Sequence, residues 1–379
     1  MKILFSLTYY SPYVSGLTNY VKTLAGELAT KKGVEVSVLC MRHDPELSEM
    51  EIVDGVSVVR AKPDFALSKG YVSLDWFKKS WENVRNCDVV VVNLPQAEGL
   101  VPALMARLLR KRLISVYHAR VELRGGLMDK LIELVLEGLN SEIMMLSHRV
   151  ITYTDVYAKT LRVYKKIRHK IYSVYPPIKL PRENKALSKT IRYKIPPGTK
   201  AVIGVAARLA EDKGFENIIK VIPYLEKRWG VGKVVVLVAG SMSPVGEKKY
   251  RERILKMLNN CNGLIFLGEI RNDLMGSFYN NIDLLIVPSI LESFGIVQAE
   301  AMMMGKPVVT SNLPGANVPV QRTGMGKLVP PGEVEKLAEA IEAVWSQKKE
   351  YKEMSTRARK EFAIEKTICF YEELLRGLK

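Results

Sequence analysis

Apolar runs of strand length alternate with helix-length segments along almost the whole chain, and that alternation is the tightest constraint on its fold. Residues 1–8 read as a strand, 9–16 as a loop and about 17–31 as a helix, which Gly33 ends before a second strand at 34–39. Residues 56–61, 88–94, 113–117 and 149–154 repeat the strand pattern. Strands that alternate with helices pair in parallel, with helices covering both sheet faces. The alternation breaks at Tyr175-Pro176-Pro177, and a Pro- and Lys-rich stretch of little periodicity runs to about Lys200. Proline lacks an N–H donor and ends regular structure, so a linker is expected there. A second set begins with a strand at 201–205 and continues through strands at 234–240, 264–267, 283–287, 307–311 and 326–330. A chain of 379 residues exceeds one ordinary core. The expectation is an α/β protein of two doubly wound domains, residues 1–177 and 178–362.

Composition removes several classes. Apolar residues make up 47% and charged residues 26%, the balance of a globular chain. No apolar run is long enough to span a bilayer, and no signal-peptide cleavage pattern follows the first strand, so a cytoplasmic location is expected. Cys40, Cys87, Cys261 and Cys369 form no Cys-x-x-Cys pair, which suggests free buried thiols rather than zinc or disulfides. Glutamine occurs only at 96, 298, 321 and 347, a lean towards thermophile composition. The net charge of +17 suits a phosphorylated substrate, an anionic membrane or nucleic acid. No nucleic-acid motif accompanies it, so no nucleic-acid partner is expected. Residues 14–19 lack the Gly-x-Gly-x-x-Gly of a nicotinamide enzyme, and no Asp-x-Asp occurs, so no metal site of that type is expected.

The chemistry concentrates at residues 288–307. An apolar strand leads into Pro288-Ser-Ile-Leu-Glu292-Ser293-Phe294-Gly295, and a helix begins near Ile296 and Val297. Free N–H groups at a helix start make an anion site, and glycine lets a ligand approach the backbone. Glu292 and Glu300 bracket this turn; each carboxylate can accept from a pair of sugar hydroxyls. Spacing alone also allows two solvated glutamates. Upstream, Arg208 and Lys213-Gly214 straddle a loop at a strand's carboxyl end, where two cations can neutralise a diphosphate. Gly16, after Ser15, and His118 also stand at strand carboxyl ends, where ligands of such sheets bind; a turn glycine and a structural histidine are the plainer readings. Gly240 closes another strand.

Glu-x7-Glu with Phe-Gly after the first Glu, Pro-Ser before it and Gly305-Lys-Pro307 after it resembles the donor-site signature of retaining GT-B glycosyltransferases, family 4. Arg208 and Lys213-Gly214 fit that pattern, with Ala207 where Gly is usual. The resemblance covers nearly the whole chain. It implies two Rossmann-like domains facing a cleft, with a last helix, about 363–379, packing back on the first domain. The first domain would bind the acceptor and the second a nucleotide-diphosphate sugar such as GDP-mannose or UDP-glucose. It implies hexose transfer with retention and without metal. Arg208, Lys213 and the helix start would stabilise the leaving diphosphate, Glu300 would hold the ribose hydroxyls and Glu292 the donor sugar. It also implies that His118 touches the transferring sugar and Gly16 the diphosphate, while Gly240, Ser293, Phe294, Gly295, Ile296 and Val297 line the donor. An epimerase or phosphorylase of the same fold is the related alternative.

Two segments speak to the acceptor. Trp76, Phe77 and Trp81 alternate with Lys78, Lys79 and Arg85, as in a basic amphipathic helix that lies in a membrane interface; the same pattern suits aromatics packed inside under a solvated basic face. Lys159, Arg162, Lys165, Lys166, Arg168 and Lys170 form the strongest basic run. The expectation is a lipid or lipid-linked glycan acceptor and peripheral contact with an anionic membrane; a small soluble sugar is the rival. The stretch 125–147 reads as a long core or interface helix.

Overall fold

A computed structural model describes residues 1–67, 70–122, 126–243, 247–258, 261 and 263–377. The chain divides into two units, one of Met1–Pro177 with Ile364–Lys379, the other Ile178–Ala363.

The first unit is an eight-stranded sheet in the order Ile171–Ser173, Arg149–Thr152, Arg112–Tyr117, Val89–Leu94, Lys2–Ser6, Glu35–Met41, Val56–Ala61, Met50–Val53. Only the edge strand Met50–Val53 runs antiparallel. Val89–Leu94 is buried at every residue, as a parallel strand covered on both faces must be. Strand order reverses beside Lys2–Ser6, which pairs with Val89–Leu94 in the register Ile3↔Val89. The final helix, Ile364–Arg376, belongs to this unit because its Tyr371 hydroxyl bonds that of Tyr20 and its Leu374 carbonyl accepts from Arg112 at 2.7 Å.

The second unit is a six-stranded sheet with every pair parallel, in the order Leu264–Gly268, Val234–Ala239, Ala201–Ala206, Leu284–Val287, Val308–Ser311, Gly326–Val329. The first three strands build outward one way and the last three the other. The reversal lies between Ala201–Ala206 and Leu284–Val287, paired as Ile203↔Leu284 and Gly204↔Leu285. Beyond the carboxyl ends of two such strands the following loops diverge and leave a crevice, the standard ligand position in doubly wound sheets.

Four expectations need correction. The linker region contains a helix, Lys185–Tyr193, capped by Asn184, whose Oδ1 accepts from Leu187 N at 3.0 Å. Only Ile191 of this helix is buried, so it carries no apolar period to read. The basic run 159–170 is not one helix; it passes through a turn, the short helix Tyr164–Ile167 and a 3₁₀ turn at Arg168–Lys170. The long helix is Leu127–Leu146, and its buried residues lie only in its last two turns, so its first half is not core; Gly125 falls outside the described residues. The cysteines are free, but only Cys40 and Cys87 are buried; Cys369 is exposed.

Candidate active site

The loops that follow Ala201–Ala206 and Leu284–Val287 hold the second unit's charged groups together. Ile290 N donates to Asp212 O at 2.9 Å, and Leu209 N to Ser241 O at 2.8 Å. Gly214 has φ +67°, and a Cβ there would meet Pro288 O at 2.3 Å, so these two loops approach as only glycine permits. Gly214→Ala is therefore expected to cost about 2–4 kcal/mol and to lower Tm by several degrees. An unchanged thermal transition would show that the loops tolerate separation.

That approach brings Lys213 to Glu292. Lys213 Nζ donates to Glu292 Oε2 at 3.1 Å and lies 3.1 Å from Asp212 Oδ2. Arg208 adds a second cation, 3.7 Å from Asp212. Burial opposes the charge on Lys213, but the Glu292 and Asp212 carboxylates outweigh it and hold the ammonium well above the usual lysine range. Burial likewise works against Asp212, and Lys213 and Arg208 still pull its carboxyl below the ordinary value. Glu292 Oε1 accepts from Ser293 N at 3.1 Å, which fixes the carboxylate at the turn. Gly295, with φ +78°, caps the helix Ile296–Met303, whose first N–H groups have no partner within the helix. One turn further on, Glu300 accepts from the Tyr279 hydroxyl at 2.7 Å. Burial pushes its carboxyl up to about 7, against that hydrogen bond. The second unit thus presents two cations, a helix start and two carboxylates at the point where strand order reverses.

Residues 188–361 match the family model "Glycosyl transferases group 1" and residues 14–182 the model "Glycosyltransferase Family 4". The chain belongs to the GT-B glycosyltransferases. An uncharacterized glycosyltransferase of Methanocaldococcus jannaschii is 26% identical over 91% of this chain and 89% of its own length. A D-inositol 3-phosphate glycosyltransferase of Saccharomonospora viridis is 30% identical over 52% of this chain and 47% of its own. Among solved structures, Anabaena HepE in complex with UDP-glucose superposes over 100% of both chains with a TM-score of 0.79 at 18% identity.

In this glycosyltransferase Arg208, Lys213, Glu292, Ser293, Gly295, Ile296, Val297 and Glu300 fall on two loops and one helix. Gly240 lies beside them; its φ is +150°, and a Cβ would meet Ala207 O at 2.2 Å. Phe294 does not offer its side chain, which is fully buried against Phe362; only its backbone is available. Gly16 and His118 lie in the first unit. Gly16 opens the helix Gly16–Ala29, capped by Ser15, and a Cβ there would meet nothing within 4 Å, so packing alone does not demand glycine. His118 is 4% exposed. One ring nitrogen bonds Tyr153 Oη and the other Asn93 Oδ1 at 2.9 Å. Because Asn93 Nδ2 donates to Ser6 O, its Oδ1 accepts from His118 Nε2, and burial pushes the imidazole down to about 3. The ring is neutral and oriented, with both nitrogens engaged.

The Trp76–Arg85 segment is corrected in part. Its helix, Asp75–Arg85, buries Trp76 at 1% exposure, with Nε1 donating to Glu98 O at 2.9 Å. Lys79 bonds Arg60 O at 2.7 Å and pairs with Asp75 at 3.0 Å and Glu49 at 3.3 Å. Neither is available to a membrane. Phe77, Lys78 and Trp81 are exposed. Sequence reasoning passed over Asp212, which stands next to Lys213, and Tyr279, which no local signal ties to Glu300.

Proposed function

We propose that the enzyme moves a hexose from a nucleotide-diphosphate sugar to a membrane lipid or lipid-linked glycan, with retention and without metal. The observation that carries this reading is the Arg208–Asp212–Lys213–Glu292 cluster beside the start of the Ile296–Met303 helix. Two fixed cations and a helix dipole at one crevice suit a diphosphate, and groups already oriented stabilise a leaving group without reorganising as charge develops. Glu292 is held by Lys213 and by its own turn; its proposed role is to face the donor sugar and favour positive charge at the anomeric carbon. Glu300 is assigned the ribose hydroxyls. Gly240 and the backbone of 293–297 close around the donor. Gly16 contacts the diphosphate and His118 the transferring sugar in this reading. The bound UDP-glucose of HepE supports a uridine nucleotide as the first to try.

Calorimetric titration with UDP and then GDP, in EDTA, tests the donor site. One nucleotide should bind, and Arg208→Ala should weaken it about 10- to 100-fold, the worth of one charged hydrogen bond. Binding of neither would overturn the reading. A small phosphorylated polyol acceptor is the second reading, favoured by the inositol phosphate named for the Saccharomonospora relative; transfer to a water-soluble acceptor in the absence of vesicles would select it.

A further inference from the structure

The first unit holds a cavity of about 540 Å³ that the donor chemistry does not use. It opens between the Leu127–Leu146 helix and the start of the basic run, lined by Tyr117, Tyr157 and Leu161, by the cations Arg120, Lys130 and Arg162, and by Glu133 and Glu137. The acids are already engaged. Glu133 accepts from Arg120 at 3.0 Å, and Glu137 from the Tyr117 hydroxyl at 3.3 Å. Lys130 and Arg162 are exposed, and with Arg120 they outnumber Glu133 and Glu137 in the lining, so its net charge is positive.

The cavity wall continues into an uncovered apolar face. Leu134 lines the cavity and is 52% exposed; Leu127 at 87% and Leu131 at 54% stand on the same side of the helix, four and three residues apart, and such spacing aligns them in one stripe. Met128 and Val135 widen it. Contiguous exposed apolar residues of this kind mark an interface rather than a solvated surface. Lys159, Lys165, Lys166 and Arg168 are exposed on the adjoining segment. An apolar stripe rimmed by exposed cations is complementary to an anionic bilayer.

We propose that this surface docks on an anionic membrane and that the cavity seats the phosphorylated headgroup of one of its lipids. Lys130 and Arg162 take the phosphate oxygens, and Leu127, Leu131 and Leu134 enter the acyl boundary. Trp81 and Phe77 sit on a different helix, where Lys79 is tied into the protein and Trp76 is buried, so fewer groups remain to form an anchor. The inference rests on the reading of the acceptor as a membrane lipid, but its test does not use the donor site.

The test is cosedimentation with vesicles of phosphatidylglycerol in phosphatidylcholine, against pure phosphatidylcholine. The intact chain should bind only the anionic vesicles. The exposed pair Lys130→Ala/Arg162→Ala should weaken binding about thirtyfold, from roughly a tenfold factor per 1.4 kcal/mol and about 1 kcal/mol per surface cation. Leu127→Ser/Leu131→Ser should weaken binding at least as much. UDP and GDP titrations of the same variants should be unchanged, which separates loss of docking from loss of the donor site. Binding that survives both pairs, or that falls only in Phe77→Ser/Trp81→Ser, overturns the proposal. So does a change of sedimentation coefficient in the leucine pair without a change in vesicle binding, since the stripe would then be covered by a second copy.

Discussion

Lys213→Ala is expected to lower kcat by about a hundred- to thousandfold, the usual cost of removing one preorganised group that stabilises charge in the transition state. Lys213 is the hinge of the cluster, because a single ammonium satisfies Glu292 and Asp212 at once. In the proposed donor site its loss removes a positive charge from the leaving diphosphate. It also leaves Glu292 without a cation, while Asp212 keeps only Arg208 at 3.7 Å. The second effect distinguishes Lys213 from Arg208, which is more exposed and pairs with Asp212 alone at 3.7 Å. The folded state should lose about 1–3 kcal/mol, less than a fully buried broken pair because both side chains keep some access to water. Initial rates over a range of donor concentrations, with thermal unfolding of the same samples, check both parts. A destabilised variant with an unchanged rate would make Lys213 a structural strut and would remove the main support for the donor site. Double replacement, Lys213→Ala with Glu292→Gln, should recover stability but not rate.

The residues that form the sheets were legible because burial on both faces leaves a mark in the sequence. Val89–Leu94 opens with four valines in a row, and Val234–Ala239 has six buried residues in a row. That Arg208, Lys213 and Glu292 come together was legible for a different reason: they follow strand ends within a few residues, and the loops after adjacent strands meet at the point where strand order reverses. What could not be read depends on partners far away in the chain. The fate of Lys79 is set by Arg60 and Glu49, 19 and 30 residues earlier, so no helical wheel could show that its ammonium points inward. The pattern around Trp76 suits either an interfacial or an inward-packed aromatic; its indole N–H finds a carbonyl at Glu98 and the ring goes into the core. Arg60 is a fully buried cation held by Ser48 O, Ser11 O and Glu51, in a segment that reads simply as a strand. For the first half of the Leu127–Leu146 helix the core alternative fails for the opposite reason. Apolar periodicity locates a stripe but does not say what covers it, and here Leu127, Met128, Leu131, Leu134 and Val135 in that half stay exposed among the described residues.

Glu300 leads to the second large effect, a pair of pH dependences of opposite sign. Its carboxyl rises from an ordinary 4.5 to about 7 in the folded protein, so between those values the folded state binds the proton and the unfolded state does not. Stability from this residue is therefore full below about pH 4.5 and is lost as pH rises to 7, by at most about 3 kcal/mol. Glu300→Gln keeps an acceptor for the Tyr279 hydroxyl and cannot ionise. It should be more stable than the parent above pH 7, with the difference shrinking towards pH 5. Donor affinity runs the other way. A carboxylate accepts from two hydroxyls, whereas a carboxylic acid has lost part of that capacity. Affinity for the nucleotide should thus fall as pH drops below 7, approaching about tenfold per unit if the ionised form alone binds. In the glutamine variant that fall should vanish. Thermal unfolding and nucleotide titration at pH 5.5, 6.5, 7.5 and 8.5 would read both slopes. Because binding selects the ionised carboxyl, it must also release a proton near pH 6.5, visible as a dependence of the titration heat on buffer. A parent and variant with parallel affinity profiles would remove Glu300 from the ribose, while a stability difference that persisted would leave it as a buried partner of Tyr279 alone.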